Sequence, residues 1–152
     1  RPCDPPVETL GGIPQLFRSF DSYKRLIEII DSPSNAIEFC QGTFSEMEDA
    51  KDGGIYEMID YFSSRKKILY VHFRNVSGTV PNFNEEFINT GYVDMHKAMK
   101  IYHKNGFDSF FIDDHVPQTF EDTEWGHRGR SFANGYIQAL IESVTKENKF
   151  YD

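Results

Sequence analysis

Cys40, His72 and the pair Asp113-Asp114 are the side chains of this sequence best suited to hold a metal ion. Each closes a short apolar run: Ala36-Ile37-Glu38-Phe39-Cys40, Ile68-Leu69-Tyr70-Val71-His72, and Phe110-Phe111-Ile112-Asp113-Asp114-His115. Runs of this length and composition read as buried strands. In parallel α/β folds the functional groups collect at the C-terminal ends of the strands. A thiolate, an imidazole and a carboxylate meeting there would suit a transition-metal ion such as Mn, Fe or Zn. The expected chemistry is that of a metal-dependent enzyme.

The neighbours of these residues extend the picture. Cys40 is followed by Gln41-Gly42-Thr43, where Gly42 would let a substrate approach the backbone closely. Taken alone, a buried cysteine is a small hydrophobe. Along 70–74, alternation puts Tyr70, His72 and Arg74 on one face and Val71 and Phe73 on the other. A polar face of that kind suits the mouth of a barrel. His72 would bind metal through one nitrogen and be oriented through the other, and Arg74 could clamp a substrate carboxylate. Two carboxylates and an imidazole directly after Phe110-Phe111-Ile112 are costly without partners. One Asp as ligand and His115 as acid or base would account for them. His127-Arg128-Gly129-Arg130, at a helix start, could bind an anion through side chains and backbone N–H groups. His96 and His103 lie in a predicted surface helix and carry no assigned role.

The elements that position these groups alternate. Helices are predicted over 22–30, 55–62 and 131–144, with a third of the four starting at Asp94 as N-cap and closing at Gly106. The apolar face of the first carries Phe20, Tyr23, Leu26, Ile27 and Ile30. That of the last carries Phe132, Tyr136, Ile137, Leu140, Ile141 and Val144. Strands are predicted over 36–40, 68–73 and 109–113. Residues 41–52 read as a polar loop whose acids, Glu46, Glu48, Asp49 and Asp52, are solvated. Residues 74–91 form a long loop, a length that usually carries function. Strands alternating with helices predict a parallel sheet with right-handed crossovers. The expected fold class is α/β, as a small open sheet or an arc of a (β/α)8 barrel. A complete barrel takes about 250 residues, so 152 residues supply at most half of one.

Composition narrows the function classes. A hydrophobic fraction of 39% excludes a disordered chain. A net charge of -8 argues against a nucleic-acid binder. Only Cys3 and Cys40 are present, too few for a secreted disulfide scaffold. No apolar run approaches transmembrane length. A cytoplasmic protein acting on a small molecule, without nucleic-acid or membrane partners, is the expectation.

Four segments, Glu38-Phe39-Cys40-Gln41-Gly42-Thr43, Val71-His72-Phe73-Arg74-Asn75-Val76, Gly91-Tyr92-Val93-Asp94-Met95 and Asp114-His115-Val116-Pro117, resemble the C-terminal half of the D-mannonate dehydratases. Pro2-Cys3-Asp4-Pro5-Pro6 also resembles a segment of that family. Its members are (β/α)8 barrels of the xylose-isomerase-like group that convert D-mannonate to 2-keto-3-deoxy-D-gluconate with Mn2+ or Fe2+ in hexuronate breakdown. The resemblance implies that Cys40, His72 and Asp114 are metal ligands and that His115 is a catalytic acid or base. It implies one partial domain over 1–152, the C-terminal half of a barrel whose N-terminal half lies outside this chain, and a homo-oligomer, a dimer, in the full-length form. Gln41, Gly42, Arg74 and Arg128 are the candidate substrate contacts. At two places the pattern departs. Arg1 stands where the family usually has a further ligand His. His127 falls where many members carry a catalytic Tyr, and is the candidate for the second proton transfer. A sugar isomerase or epimerase of the same group, or an inactive barrel fragment, are the alternatives.

Overall fold

The computed structural model describes residues 1–147. In chain order the elements are β1 (Thr9–Leu10), β2 (Ile13–Pro14), α1 (Phe20–Ile29), β3 (Ile37–Cys40), α2 (Gln41–Glu46), a 3-10 segment (Glu48–Gly53), α3 (Gly54–Ser64), β4 (Ile68–His72), β5 (Asn75–Val76), β6 (Glu85–Glu86), α4 (Met95–Lys104), β7 (Phe111–Ile112) and α5 (His127–Glu147). The expected parallel sheet is there, in the order β3-β4-β7, with both strand pairs parallel. The register sets Cys40 beside His72, and His72 beside Ile112. Asp114 then follows two residues beyond the strand level of His72. Three donors therefore converge because their strands share a direction and a register.

One face of the sheet is the core. Ile37, Phe39, Val71 and Phe73 point into it and are buried. Phe39 stacks on Phe44 with ring centroids 4.1 Å apart, and Tyr23, Phe44 and Phe62 extend the aromatic cluster. Burying an aromatic of this size stabilises the fold by about 1.5–3 kcal/mol. The other face carries Glu38, Tyr70 and His72, as alternation predicts. There the Tyr70 hydroxyl donates to Glu38 Oε2 at 2.7 Å.

The helices follow local capping signals. Ser19 caps α1 and exchanges bonds with Ser22, so the helix begins at Phe20. Phe20, Tyr23 and Ile27 are buried, while Ile30 lies past the helix end and is exposed. Asp94 caps α4 as expected, its carboxylate accepting from the Lys97 N–H, and Gly106 takes a positive φ beyond the C-terminus. Helix α5 starts at His127 because the Asp122 carboxylate accepts N–H bonds from Arg128 and Gly129. Its inward positions are Gly129, Ala133, Ile137, Leu140 and Val144. Phe132 and Ile141, expected on that face, are largely exposed. Among the described residues no helix is long and apolar enough to cross a membrane.

Two predicted loops are structured. The stretch read as a polar loop over 41–52 is α2 followed by the 3-10 segment, and every residue from Gln41 to Met47 is buried. Its amide and hydroxyl side chains find partners inside. Gln41 donates to Met95 Sδ and accepts from Tyr102, and the Ser45 hydroxyl donates to the Gln41 carbonyl. Glu46, expected in solvent, is fully buried, while Glu48, Asp49 and Asp52 are exposed. The long loop after β4 folds back as the antiparallel pair β5–β6. Buried Asn75 ties it down: Nδ2 donates to the carbonyls of Ile88 and Val93, and Oδ1 accepts from the N–H groups of Val76 and Val93. Gly91 lies so close that a Cβ there would fall 2.2 Å from Asn75 Oδ1.

Candidate metal centre

At the C-terminal end of the sheet, Cys40, His72 and Asp114 each offer one ligand atom, all within 4.8 Å of one another. Cys40 Sγ lies 3.5 Å from Asp114 Oδ2, and His72 Nδ1 lies 3.3 Å from Asp114 Oδ1. Ligands bonded to one ion at about 2.0–2.3 Å stand about 3–4 Å apart. Cys40 and His72 are buried, and the Asp114 side chain is 8% exposed. The two adjacent aspartates separate cleanly. Arg130 Nη1 takes Asp113 Oδ2 at 3.2 Å and the Asp114 carbonyl at 2.7 Å. Asp114 adopts a left-handed backbone (φ 56), tolerated by an aspartate, and its carboxylate turns toward the centre.

Arg74 organises the acids around this group. Only 2% of its side chain is exposed. Nε donates to Asp114 Oδ2 at 2.9 Å, and Nη2 donates to Asp4 Oδ2 and to the Thr43 hydroxyl. Nη1 comes within 2.9 Å of Glu46 Oε1 without hydrogen-bond alignment. Gly42 makes room for it: a Cβ there would sit 2.5 Å from Arg74 Cγ, Nε and Cζ. The close approach read at Gly42 is thus made by Arg74. Arg74, expected to reach a substrate, spends its donors on the protein's own carboxylates. Gln41, another expected contact, is buried in the core against Met95 and Tyr102.

The electrostatics follow from this crowding. Burial pushes the Cys40 thiol up to about 11, against the pull of Arg74 and the Thr43 hydroxyl. Burial also acts to raise Asp114, but His115, His72 and Arg74 together hold it below the ordinary carboxylate range. Glu46 rises to about 7 through burial, with Arg74 opposing.

These residues fit a resident divalent ion. His72 Nδ1 is buried with no hydrogen-bond partner, and it faces Asp114. On the other side of the ring, Nε2 lies 3.2 Å from Glu38 Oε1, the second-nitrogen contact that orients a ligating histidine. Carboxylates from Asp4, Glu38, Glu46 and Asp114 outnumber the guanidinium groups of Arg1 and Arg74 beside them. Arg1 approaches Glu38 at 3.7 Å and Asp4 at 3.8 Å. A guanidinium has no lone pair to give, so it balances charge there and ligates nothing. Cys40, His72 and Asp114 would hold the metal.

His115 is half-exposed beside the centre. Its Nδ1 is 2.6 Å from Glu85 Oε1 and its Nε2 is 3.6 Å from Asp114 Oδ1. It lines a cleft of about 370 Å³ with Trp125, Glu124 and Arg130. His127 and Arg128 bond instead to the preceding loop: the His127 ring to Thr123 Oγ1 at 2.8 Å, and Arg128 Nη1 to the Phe120 carbonyl. Neither joins the metal group. The residues that sequence reading missed are Glu38, Asp4, Glu46 and Glu85; Arg130, read as one of an anion-binding set, instead holds Asp113 and the Asp114 carbonyl. Only Glu38, two residues before Cys40 on one strand, carried a signal in its spacing.

The D-mannonate dehydratase (UxuA) family model matches residues 1–151. Mannonate dehydratase from Lactococcus lactis subsp. lactis (strain IL1403) is 30% identical over 97% of this chain and 42% of its own length. The mannonate dehydratase of Thermotoga maritima is 28% identical over 99% of this chain and 42% of its own. In structure, 95% of the chain superposes on 42% of mannonate dehydratase from Streptococcus suis serotype2, with a TM-score of 0.86 at 22% identity. The chain therefore spans under half the length of the curated relatives it matches. On this match along nearly all its length, the chain belongs to the D-mannonate dehydratase family.

Proposed function

We propose that this chain forms the metal-holding, proton-transferring side of an active site that dehydrates D-mannonate to 2-keto-3-deoxy-D-gluconate. The single observation that carries this reading is the cluster of Cys40, His72 and Asp114, with an unpartnered His72 nitrogen inside it and His115 at its edge. Cys40, His72 and Asp114 would hold Mn2+ or Fe2+, which would supply positive charge against the enolate that develops next to the substrate carboxylate. The remaining strands of the barrel come from residues outside this sequence, and the complete enzyme is a cytoplasmic homodimer.

The reaction removes a proton from C2 and hydroxide from C3, and the resulting enol becomes the 2-keto acid. His115, at the wall of the cleft, moves one of the two protons. His127, next in the chain to Gly126 of the same cleft, moves the other, so that the proton taken from C2 by one group is matched by a proton given to the departing C3 hydroxyl by the other. Arg128 is available to the substrate carboxylate. Arg74 acts through Asp114, which it holds ionised and aimed.

The test is mannonate turnover followed by 13C NMR, with and without Mn2+, alongside metal content. Mn2+-dependent formation of the 2-keto-3-deoxy acid, lost in Cys40→Ala and His72→Ala together with stoichiometric metal, is the expected result. Solvent deuterium entering C2 without loss of water would make the protein an isomerase or epimerase. Absence of bound Mn2+ at saturating metal would leave a fold without this chemistry.

A further inference from the structure

Glu85 lies in the long segment after β4, far in sequence from every residue discussed as a ligand. Strand β6 brings it back, because it pairs antiparallel with β5, which follows β4 directly (Asn75↔Glu86, Val76↔Glu85). The four hydrogen bonds of buried Asn75 and the tight packing at Gly91 fix that return. Its carboxylate thereby lands 2.6 Å from His115 Nδ1. The other end of the contact is equally fixed. Arg130 holds the Asp114 carbonyl, so the peptide that leads into His115 has a set direction.

We propose that Glu85 is a positioning residue for His115: it keeps Nδ1 as the proton-bearing atom and leaves Nε2 as the atom that works in the cleft. A carboxylate can only accept, so the short contact selects the ring form with hydrogen on Nδ1. The ring then turns Nε2 to the side of Asp114 Oδ1, which at 3.6 Å lies beyond hydrogen-bond reach and leaves that nitrogen uncommitted to it. An acid–base histidine needs this arrangement, since the wrong tautomer puts a hydrogen where a lone pair is required. Glu85 also feels Arg74, whose Nη1 is 4.0 Å from the same oxygen. One guanidinium thus touches the acid that orients His115 and the acid that binds the metal. The proposal rests on the reading of His115 as the proton-transfer group.

The experiment compares the wild-type chain with Glu85→Gln and Glu85→Asp. Glu85 is well exposed, and the Gln variant keeps its shape, so folding is not at stake. In metal-free, 15N-histidine-labelled protein, His115 side-chain shifts, assigned with His115→Asn, should report the Nδ1–H form in the wild type. Glu85→Gln should move them toward the Nε2–H form or an average, and Glu85→Asp should restore most of the wild-type pattern. With Mn2+ loaded and mannonate as substrate, kcat should fall about 10–100-fold in Glu85→Gln, the range for lost outer-sphere orientation, with KM and Mn2+ affinity within about twofold of wild type. Identical His115 shifts in wild type and Glu85→Gln would overturn the proposal, as would a loss of Mn2+ affinity as large as the loss of kcat. A wild type that binds Mn2+ but does not turn over mannonate would count against the dehydratase reading alone, and the NMR comparison would still decide the role of Glu85.

Discussion

Burial lifts the Glu46 carboxyl from an ordinary 4.5 to about 7, although Arg74 beside it pulls the other way. Between those two values the folded protein holds a proton that the unfolded chain has released. The stabilisation is complete below about pH 4.5 and is lost as pH rises through 7, by about 3 kcal/mol at most. Urea titrations across this window should give a stability that declines with pH in the wild type, and a flatter profile in Glu46→Gln. Equal slopes would mean that Glu46 is not the group responsible. Its position explains why its sequence context misled. Three neighbouring acids are exposed, and the partner that draws Glu46 inward, Arg74, sits on another strand exit. Cys40, His72 and the pair Asp113-Asp114 were readable because strand ends and strand direction are local patterns, whereas the choice of Asp114 within the pair came from the family resemblance. Arg74's commitment to four carboxylates was not, since Asp4, Glu46, Glu85 and Asp114 come from four separate segments.

The segment from β5 to α4 shows how one buried amide can define an element. Asn75 satisfies two carbonyls and two N–H groups spread over residues 75–93. An alanine there leaves those groups without partners in a site with no room for bulk water. The expected cost is about 2–4 kcal/mol, with faster amide hydrogen exchange over 76–93 and unchanged exchange in α3. Uniform loss of protection would show that Asn75 serves the whole fold and not this element. Elements with strong local signals, such as α4 with its Asp94 cap and closing glycine, were legible in advance. The β5–β6 pair was not, because strands of two residues carry no periodicity and their pairing depends on a side chain buried between them. Helix α2 was hidden for a related reason: Gln41 and Thr43 find their partners on distant segments, at Met95, Tyr102 and Asp4, and polarity alone resembles solvent exposure.

At the scale of the molecule, the three-stranded sheet has two outer edges, along β3 and β7, that pair with nothing among the described residues. Parallel sheets are ordinarily covered on both faces and closed or capped at their edges. Here helices cover one face only. The other exposes Phe110 at 57%, stacked on Tyr70 with centroids 5.1 Å apart, and Leu69, the extra residue at the register shift between β3 and β4, is 52% exposed. Neither edge carries the lysine or proline that usually blocks strand addition: β3 is Ile37-Glu38-Phe39-Cys40 and β7 is Phe111-Ile112. The 152-residue chain on its own should therefore self-associate, with a sedimentation coefficient that grows over a concentration series. Lysine at position 69 or 110 should shift the population toward monomer, because a charge desolvated in a sheet-to-sheet contact is costly while the same charge in water is free. Mn2+ binding should survive both substitutions, since neither residue touches Cys40, His72 or Asp114. A wild type that sediments as a single monomer at every concentration would mean that these edges are protected by something other than pairing, and the picture of an open arc of sheet would have to be given up.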